Sequence, residues 1–364
     1  MRIVQACPYA WDVPGGVQVH VRQLSEHLRE RGHDVTVLSP GHPRLVQEHW
    51  VRVVGRPLRV PYNGSVAPIC PSLGSMRLVR WSLEEIRPDV IHVHEPFTPS
   101  TAMFAALRAN APVVATFHAY AERSRLLALA ASPLRLVWRK LDVKVAVSNA
   151  AASFPARRFG DGFQIVPNGS DFARFRDAKP ADLPPGRWVL FVSRLEPRKG
   201  FSVALRAFEL LARRMHDVRF LVVGEGPERA VLEDLEPAIR ERVLHVGAVS
   251  NDQLPPYYAA ADVFVAPATG GESFGYILVE AMAAGLPVVA SAIPGYDEVV
   301  RQEVEGLLVT PSDPEAFAGA IERILNDREL AQRLSDAGRD RALVFGWDRV
   351  AAEIEEIYEG LTEA

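Results

Sequence analysis

Short aliphatic, β-branched runs alternate with longer runs of helical period from the first residues: Arg2 to Ala6, then Val17 to Arg31, then Asp34 to Leu38. Val90 to His94 and Pro112 to Phe117 continue the series. This is the βαβ alternation of a parallel sheet. Val17, Val21, Leu24 and Leu28 fall at i, i+4, i+7 and i+11, which predicts one apolar stripe packed on the sheet, and Gly32 stops that helix. The pattern restarts after Ser170, with predicted strands at Trp188 to Val192, Arg219 to Val223, Val243 to Val246, Val263 to Ala266 and Pro287 to Ala290.

Two sheets imply two domains, and 364 residues of which 48% are apolar are enough for two cores. The stretch 171–187, with Pro180, Pro184 and Pro185 and little periodicity, reads as the linker. The expected organisation is a first domain over 1–170, the linker, a second domain over 188–345, and a terminal helix over 346–364 that packs back on the first domain. The fold class is α/β, two doubly wound Rossmann-like domains. Such sheets bind ligands at the carboxyl ends of their strands, so the expected active site is the cleft between the domains. A site split in this way predicts closure about the linker.

Composition narrows the class. No apolar run of membrane-spanning length and no secretory leader pattern is present, and Cys7 and Cys70 have neither disulfide-framework nor zinc spacing. A cytoplasmic protein with free thiols is expected. The net charge of -4 hides an asymmetry: residues 1–170 carry 20 Lys+Arg against 12 Asp+Glu, and the remainder reverses the balance. A basic half suits nucleic acid, an anionic membrane or a phosphorylated acceptor, and charge alone does not choose among them.

Candidate chemistry clusters at predicted strand ends. Gly15 and Gly16 stand between the first strand and its helix, where bare backbone N–H groups can approach a diphosphate; a Gly-Gly turn also arises for purely geometric reasons. Arg194 and Lys199 follow the strand Trp188 to Val192 and suit the charge that builds on a leaving diphosphate, although Arg194 has an ion-pair partner in Glu196. Gly270 to Gly275 contains Glu272, Ser273 and Phe274. A helix starting near Ser273 would aim N–H groups at phosphate and place Glu280 roughly 12 Å further along, the scale of a nucleotide. Glu280 then suits a ribose diol and Glu272 the hydroxyls of a sugar. His118, after the apolar strand, is placed to bond a sugar, or is a satisfied structural histidine. His92 and His94 share one strand face with Glu95 next to them, but no third ligand is spaced to join them, so no metal site is expected. The basic stretches Arg77 to Arg87, with Trp81, and Arg123 to Lys144 read either as membrane-facing or as ordinary amphipathic helices.

Together these residues resemble glycosyltransferase family 4 over nearly the whole chain, and within it the actinobacterial phosphatidylinositol mannosyltransferases. The runs that carry the resemblance are Cys7-Pro8-Tyr9, Asp12 to Gln18, Pro61 to Ala67, His94-Glu95-Pro96, Ala115 to His118, Pro167-Asn168-Gly169 and Gly270 to Gly285. The resemblance implies a GT-B fold, GDP-mannose as donor, retention at the anomeric carbon, and a phosphatidylinositol-type acceptor. It also implies a peripheral place on the inner membrane face and no nucleic-acid partner. Gly15 and Gly16 would face diphosphate and acceptor, His118 the sugar, Arg194 and Lys199 the diphosphate, Glu272 the sugar and Glu280 the ribose. Ser273, Phe274 and Gly275 would line the donor site, and Tyr9, Tyr62, Asn63, Ser65 and Arg123 the acceptor site. No cofactor is tightly bound; Mg2+ with the donor diphosphate is compatible. Pro68 stands where the family has a basic residue, which keeps open a UDP-sugar donor with another lipid or small soluble acceptor.

Overall fold

The structure is a computed structural model that describes residues 1–13, 15–62, 65–120 and 131–363, with the backbone alone at 61, 62, 65, 66 and 131–133. It divides into two compact units, Met1–Gly169 with Trp347–Ala364, and Ser170–Gly346.

The first unit runs β1 (Arg2–Ala6), α1 (Gly16–Glu30), β2 (Asp34–Ser39), β3 (Val51–Val53), β4 (Leu58–Tyr62), β5 (Ser65–Ile69), α2 (Leu73–Ile86) and β6 (Val90–His94). It continues through α3 (Thr101–Leu107), β7 (Val113–Phe117), α4 (Ala131–Trp138), β8 (Val143–Ala146), α5 (Asn149–Phe159) and β9 (Phe163–Ile165). Seven strands form one parallel sheet in the order β3-β2-β1-β6-β7-β8-β9, which reverses direction between β1 and β6, the ligand-binding switch point of such sheets. The register sets Gln5 beside His92 and His94 beside Thr116, so these side chains share one face. On α1 the predicted stripe buries Val21, Leu24 and Leu28, with Val17 half-buried, and Gly32 follows at φ 91°. β4 and β5 form a separate antiparallel hairpin, tied at its base by the Tyr9–Ile69 bridge and by Ala10 N–H to Pro68 O at 2.8 Å.

The second unit runs α6 (Phe172–Arg176), β10 (Arg187–Val192), α7 (Phe201–Arg214), β11 (Val218–Val223), α8 (Pro237–Arg240), β12 (Val243–Gly247), α9 (Pro255–Ala259) and β13 (Val263–Ala266). Then come α10 (Tyr276–Ala283), β14 (Val288–Ser291), β15 (Gly306–Val309), α11 (Pro314–Asn326) and α12 (Arg328–Leu343). Its parallel sheet, β12-β11-β10-β13-β14-β15, is the doubly wound order with its switch point between β10 and β13. Phe191, Phe201, Phe208, Phe220 and Phe317 fill the core between sheet and helices. The proline-rich stretch 171–187 opens with a helix: Asp171 Oδ1 caps α6 by accepting from Arg174 N–H at 3.2 Å, and Phe175 packs edge-on to Tyr258.

The last helix, α13 (Trp347–Thr362), belongs to the first unit. Trp347, Val350, Ala351, Ile354 and Tyr358 form its buried stripe, at about 1.5–3 kcal/mol for each large apolar side chain. A Cβ on Gly169 would lie 2.2 Å from the Trp347 ring, so only glycine fits there. The basic stretch Arg123 to Lys144 is not a continuous helix: within its described part α4 ends at Trp138 and β8 starts at Val143. β-branched Val143 and Val145 favour the strand, and Asp142 fixes its start by accepting from Val113 N–H at 2.7 Å. Among the described residues no helix is long and apolar enough to cross a membrane.

Candidate active site

In the second unit the chain leaves β10, passes Arg194, and makes a 3-10 turn over Pro197–Lys199 that ends at Gly200. Gly200 has φ 72°, and a Cβ there would sit 1.9 Å from Pro267 O, so the turn requires glycine. The turn delivers Lys199 Nζ to 2.7 Å and Arg198 Nη1 to 2.6 Å from the same atom, Glu272 Oε1. Arg198 also donates to Gly271 O at 3.1 Å. Two cations on one nearly buried carboxylate leave a net positive charge at the strand's end. Burial pushes the Lys199 ammonium below its ordinary range, and Glu272 opposes that shift. Arg194 makes the ion pair with Glu196, at 2.8 Å, with a half-exposed side chain.

The loop before α10 is set by Gly270, Gly271 and Gly275, at φ 149°, 71° and 97°. The left-handed Gly275 cannot be part of a right-handed helix, so α10 begins at Tyr276, three residues after the predicted start at Ser273. Glu280 therefore lies about 6 Å along the helix from its first residue, not about 12 Å. The Phe274 side chain is buried, edge-on to Tyr276 and Phe345, so only its backbone is available to a ligand. Glu280 is half-buried, and its Oε2 accepts from Tyr258 Oη at 2.7 Å. Burial pushes its carboxyl above the ordinary range, against that hydrogen bond.

In the first unit Gly15 caps α1 and Gly16 begins it. Gln18 Nε2 donates to Val13 O at 3.0 Å and Ala10 O at 3.3 Å, tying the preceding loop to the helix, and a Cβ on Gly15 would lie 2.5 Å from Gln18 Oε1. His118 follows β7 and is 7% exposed. The backbone N–H groups of His118 and Ala119 both donate to Glu95 Oε1, the second at 2.6 Å. Glu95 thus anchors the His118 loop.

A chain of hydrogen bonds runs inward from His118. Its Nε2 is 3.0 Å from His94 Nδ1, His94 Nε2 donates to Gln5 Oε1 at 2.7 Å, and Gln5 Nε2 donates to Tyr358 Oη at 3.1 Å. Tyr358 Oη is 2.6 Å from His92 Nδ1, whose Nε2 is 2.7 Å from Thr116 Oγ1. Burial holds these histidines neutral: His92 is pushed down to about 3, and His94 and His118 well below the ordinary range.

The structure therefore gathers Lys199 and Glu272 into one cluster and sets His118 at a strand end. It adds Arg198, adjacent to Lys199 in sequence; Gln5, His20 and Tyr358, for which only the His92–His94 alternation gave a hint; and Asn168, which the Pro167-Asn168-Gly169 run marked without a role. His92 does not act with His94 as a ligand pair, since both its ring nitrogens are engaged elsewhere. Of the acceptor candidates, Tyr62 and Ser65 are paired across the hairpin and Tyr9 packs beside Trp11 and Val21 at its base. Asn63 and Arg123 lie outside the described residues.

Two family models match: Glycosyltransferase Family 4 over residues 14–174 and Glycosyl transferases group 1 over 175–341. The phosphatidyl-myo-inositol mannosyltransferase of Mycolicibacterium smegmatis is 40% identical, covering 100% of this chain and 95% of that protein. The protein of the same name from Propionibacterium freudenreichii is 31% identical, over 98% and 94%. Among solved structures, sucrose-phosphate synthase from Thermosynechococcus elongatus superposes with TM-score 0.78 at 23% identity, covering 99% of this chain and 98% of its own. Anabaena HepE in complex with UDP gives 0.77 at 22%, covering 99% and 100%. These structures share the fold.

Proposed function

Because this chain belongs to glycosyltransferase family 4 and is a glycosyltransferase with the GT-B fold, we propose that it transfers mannose from GDP-mannose to a phosphatidylinositol-type lipid at the inner membrane face, with retention. The observation that carries the donor half is the Lys199–Glu272–Arg198 cluster. Its net positive charge is fixed before the reaction, and a leaving diphosphate gains negative charge as the glycosidic bond breaks. Arg194 and Lys199 take the diphosphate, with the backbone of Ser273, Phe274 and Gly275 beside it. Glu272 takes sugar hydroxyls and Glu280 the ribose diol. Gly15 and Gly16 give close backbone approach, and His118 bonds the sugar. No carboxylate in this set stands free as a nucleophile: Glu272 is held by two cations and Glu280 by Tyr258. This supports front-face displacement, in which the leaving phosphate accepts the proton of the attacking hydroxyl.

The acceptor half draws on the full-length similarity to proteins named phosphatidyl-myo-inositol mannosyltransferase and on α2. Leu73, Arg77, Arg80, Trp81 and Glu84 share its outer face, and Leu73 and Trp81 are 70% and 57% exposed. Val79, Ser82 and Leu83 bury the other face. An exposed tryptophan and leucines among arginines suit an anionic bilayer surface.

Pro68 favours a second reading, a UDP-sugar donor with a different acceptor. Pro68 itself contributes no cation, the hairpin's cation at this level being Arg59 on the opposite strand, and its carbonyl is occupied by Ala10. Release of GDP or UDP from a panel of sugar nucleotides, offered with phosphatidylinositol vesicles or with neutral-lipid vesicles, separates the two. GDP release from GDP-mannose only with phosphatidylinositol is expected; turnover of a UDP-sugar, or indifference to the inositol lipid, overturns the first reading.

A further inference from the structure

His20, on α1, is 3% exposed, and among the described residues neither of its ring nitrogens makes a hydrogen bond of ordinary geometry, although the Asn168 side chain is near enough to interact with it. Leaving both nitrogens of a buried imidazole without a well-formed bond is costly, and a bound ligand would remove that cost. The ring packs against the Trp347 indole, 5.3 Å away between centroids, and against two other imidazoles. Its centroid lies 4.7 Å from that of His118 and 5.5 Å from that of His94, and the His94–His118 separation is 5.3 Å. One nitrogen from each ring falls within 4.8 Å of the other two. Three imidazoles bound to one tetrahedral ion at the usual 2.0–2.1 Å hold their centroids about 5.2 Å and their nitrogens about 3.3 Å apart, so the ring centres stand near the required spacing and the nitrogens close in on binding. Asn168, whose buried Oδ1 makes no hydrogen bond of ordinary geometry, lies close enough to His20 and His118 for its side chain to favour their protonated forms, and can supply a fourth, oxygen donor.

We propose that His20, His94 and His118 form a binding site for a divalent transition-metal ion of the Zn2+ class. His94 is already oriented for it. Its Nε2–H is given to Gln5 Oε1, so Nδ1 keeps its lone pair toward the site, and Gln5 is held in turn by Tyr358. A hydrogen-bond acceptor behind a ligating imidazole, most often a carboxylate, a backbone carbonyl or water, is the usual support, and here the Gln5 amide oxygen fills that place. His118 carries its proton on Nε2 when it bonds His94 Nδ1; on metal binding that proton moves to Nδ1, and the neutral ring is conserved. His118, the most exposed of the three, gives the ion its entry at the strand end. The binding site stands independently of the proposed reaction. One consequence rests on that reading: an ion here withdraws His118 from the sugar, so occupancy inhibits transfer.

The test is titration of the EDTA-stripped full chain with Co2+, read by the visible absorption of a four-coordinate ion. One equivalent is expected to bind wild type, with affinity falling at least about tenfold in His20→Gln and in Gln5→Leu, the size of a lost supporting contact or more. Stoichiometric binding that is unchanged in His20→Gln, or no four-coordinate spectrum in wild type, overturns the proposal. X-ray absorption on the Zn2+-loaded wild type needs no variant: three imidazoles support the site and two or fewer overturn it. If donor turnover is measurable, Zn2+ is expected to inhibit wild type and not His20→Gln at equal concentration. A chain that binds Co2+ this way without turning over GDP-mannose keeps the site and loses the reaction.

Discussion

Lys199 and Glu272 lie 73 positions apart and meet at 2.7 Å, because a glycine-terminated turn after β10 and a glycine-rich loop after β13 converge at adjacent strand ends. The pair is almost withdrawn from solvent, with 16% and 11% of the two side chains exposed. Attraction there is strong and the desolvation cost is high, so Arg198 on the same oxygen tips the balance toward an ionised cluster.

Lys199→Ala removes the buried cation and leaves Glu272 paired with Arg198. If the ammonium stabilises the leaving diphosphate, turnover falls about 100- to 1,000-fold. Nucleotide release at saturating donor measures this directly. A loss below tenfold would place Lys199 in structure alone.

Glu280 supplies a pH prediction. Burial raises its carboxyl above the ordinary range, so it takes up its proton at a higher pH than a free glutamic acid does. The protonated form is the poorer acceptor for a ribose diol, so donor KM is expected to rise as pH falls from neutral toward that raised value. Glu280→Gln has no proton to gain: its KM is expected to be about tenfold higher and to lack this pH dependence, with kcat little changed. A wild-type KM that stays flat over the same range argues against the ribose contact.

The central strands of both sheets were legible in sequence because buried parallel strands read as short aliphatic runs, whereas the short or more exposed β3, β8, β9 and β15 and the β4–β5 hairpin were not. Arg2–Ala6, Val90–His94 and Val263–Ala266 coincide with the predicted strands, and others differ by a residue. The candidate site was legible in part where charge and glycine mark a strand end: Lys199 and Glu272 meet there, whereas Arg194 pairs with Glu196. The start of α10 was not, since Gly270, Gly271 and Gly275 all take positive φ and shift it to Tyr276. Phe274 sits in a motif yet packs inward, a choice made by Phe345 far along the chain. His20 was invisible for the same reason: its neighbours come from β6 and β7, and no spacing along one segment encodes that meeting.

The outer face of α2 yields a prediction about the lipid surface. Each arginine near an anionic bilayer contributes about 1 kcal/mol. Arg77→Gln with Arg80→Gln is therefore expected to weaken partition onto phosphatidylinositol vesicles by roughly 30-fold. Trp81→Ala should reduce partition further, whereas neutral vesicles should hardly register the arginine changes. Cosedimentation at fixed ionic strength decides it, and equal losses on both vesicle types would argue for a folding defect.

Two glycine substitutions are expected to move stability in opposite directions, which separates backbone strain from any general intolerance of alanine. Gly319 lies in α11 with nothing within 4 Å of its virtual Cβ and no left-handed backbone, so Gly319→Ala should stabilise by about 0.5–1 kcal/mol. Gly200 combines φ 72° with a virtual Cβ 1.9 Å from Pro267 O, so Gly200→Ala pays left-handed strain of about 1–2 kcal/mol and must also push backbone apart. That displacement carries Lys199, the adjacent residue, away from Glu272. Urea midpoints should rise for the first variant and fall for the second, and only the second should lose nucleotide release. If Gly200→Ala loses stability but keeps full turnover, the turn can relax without moving the ammonium, and Lys199 depends less on this glycine than the geometry requires.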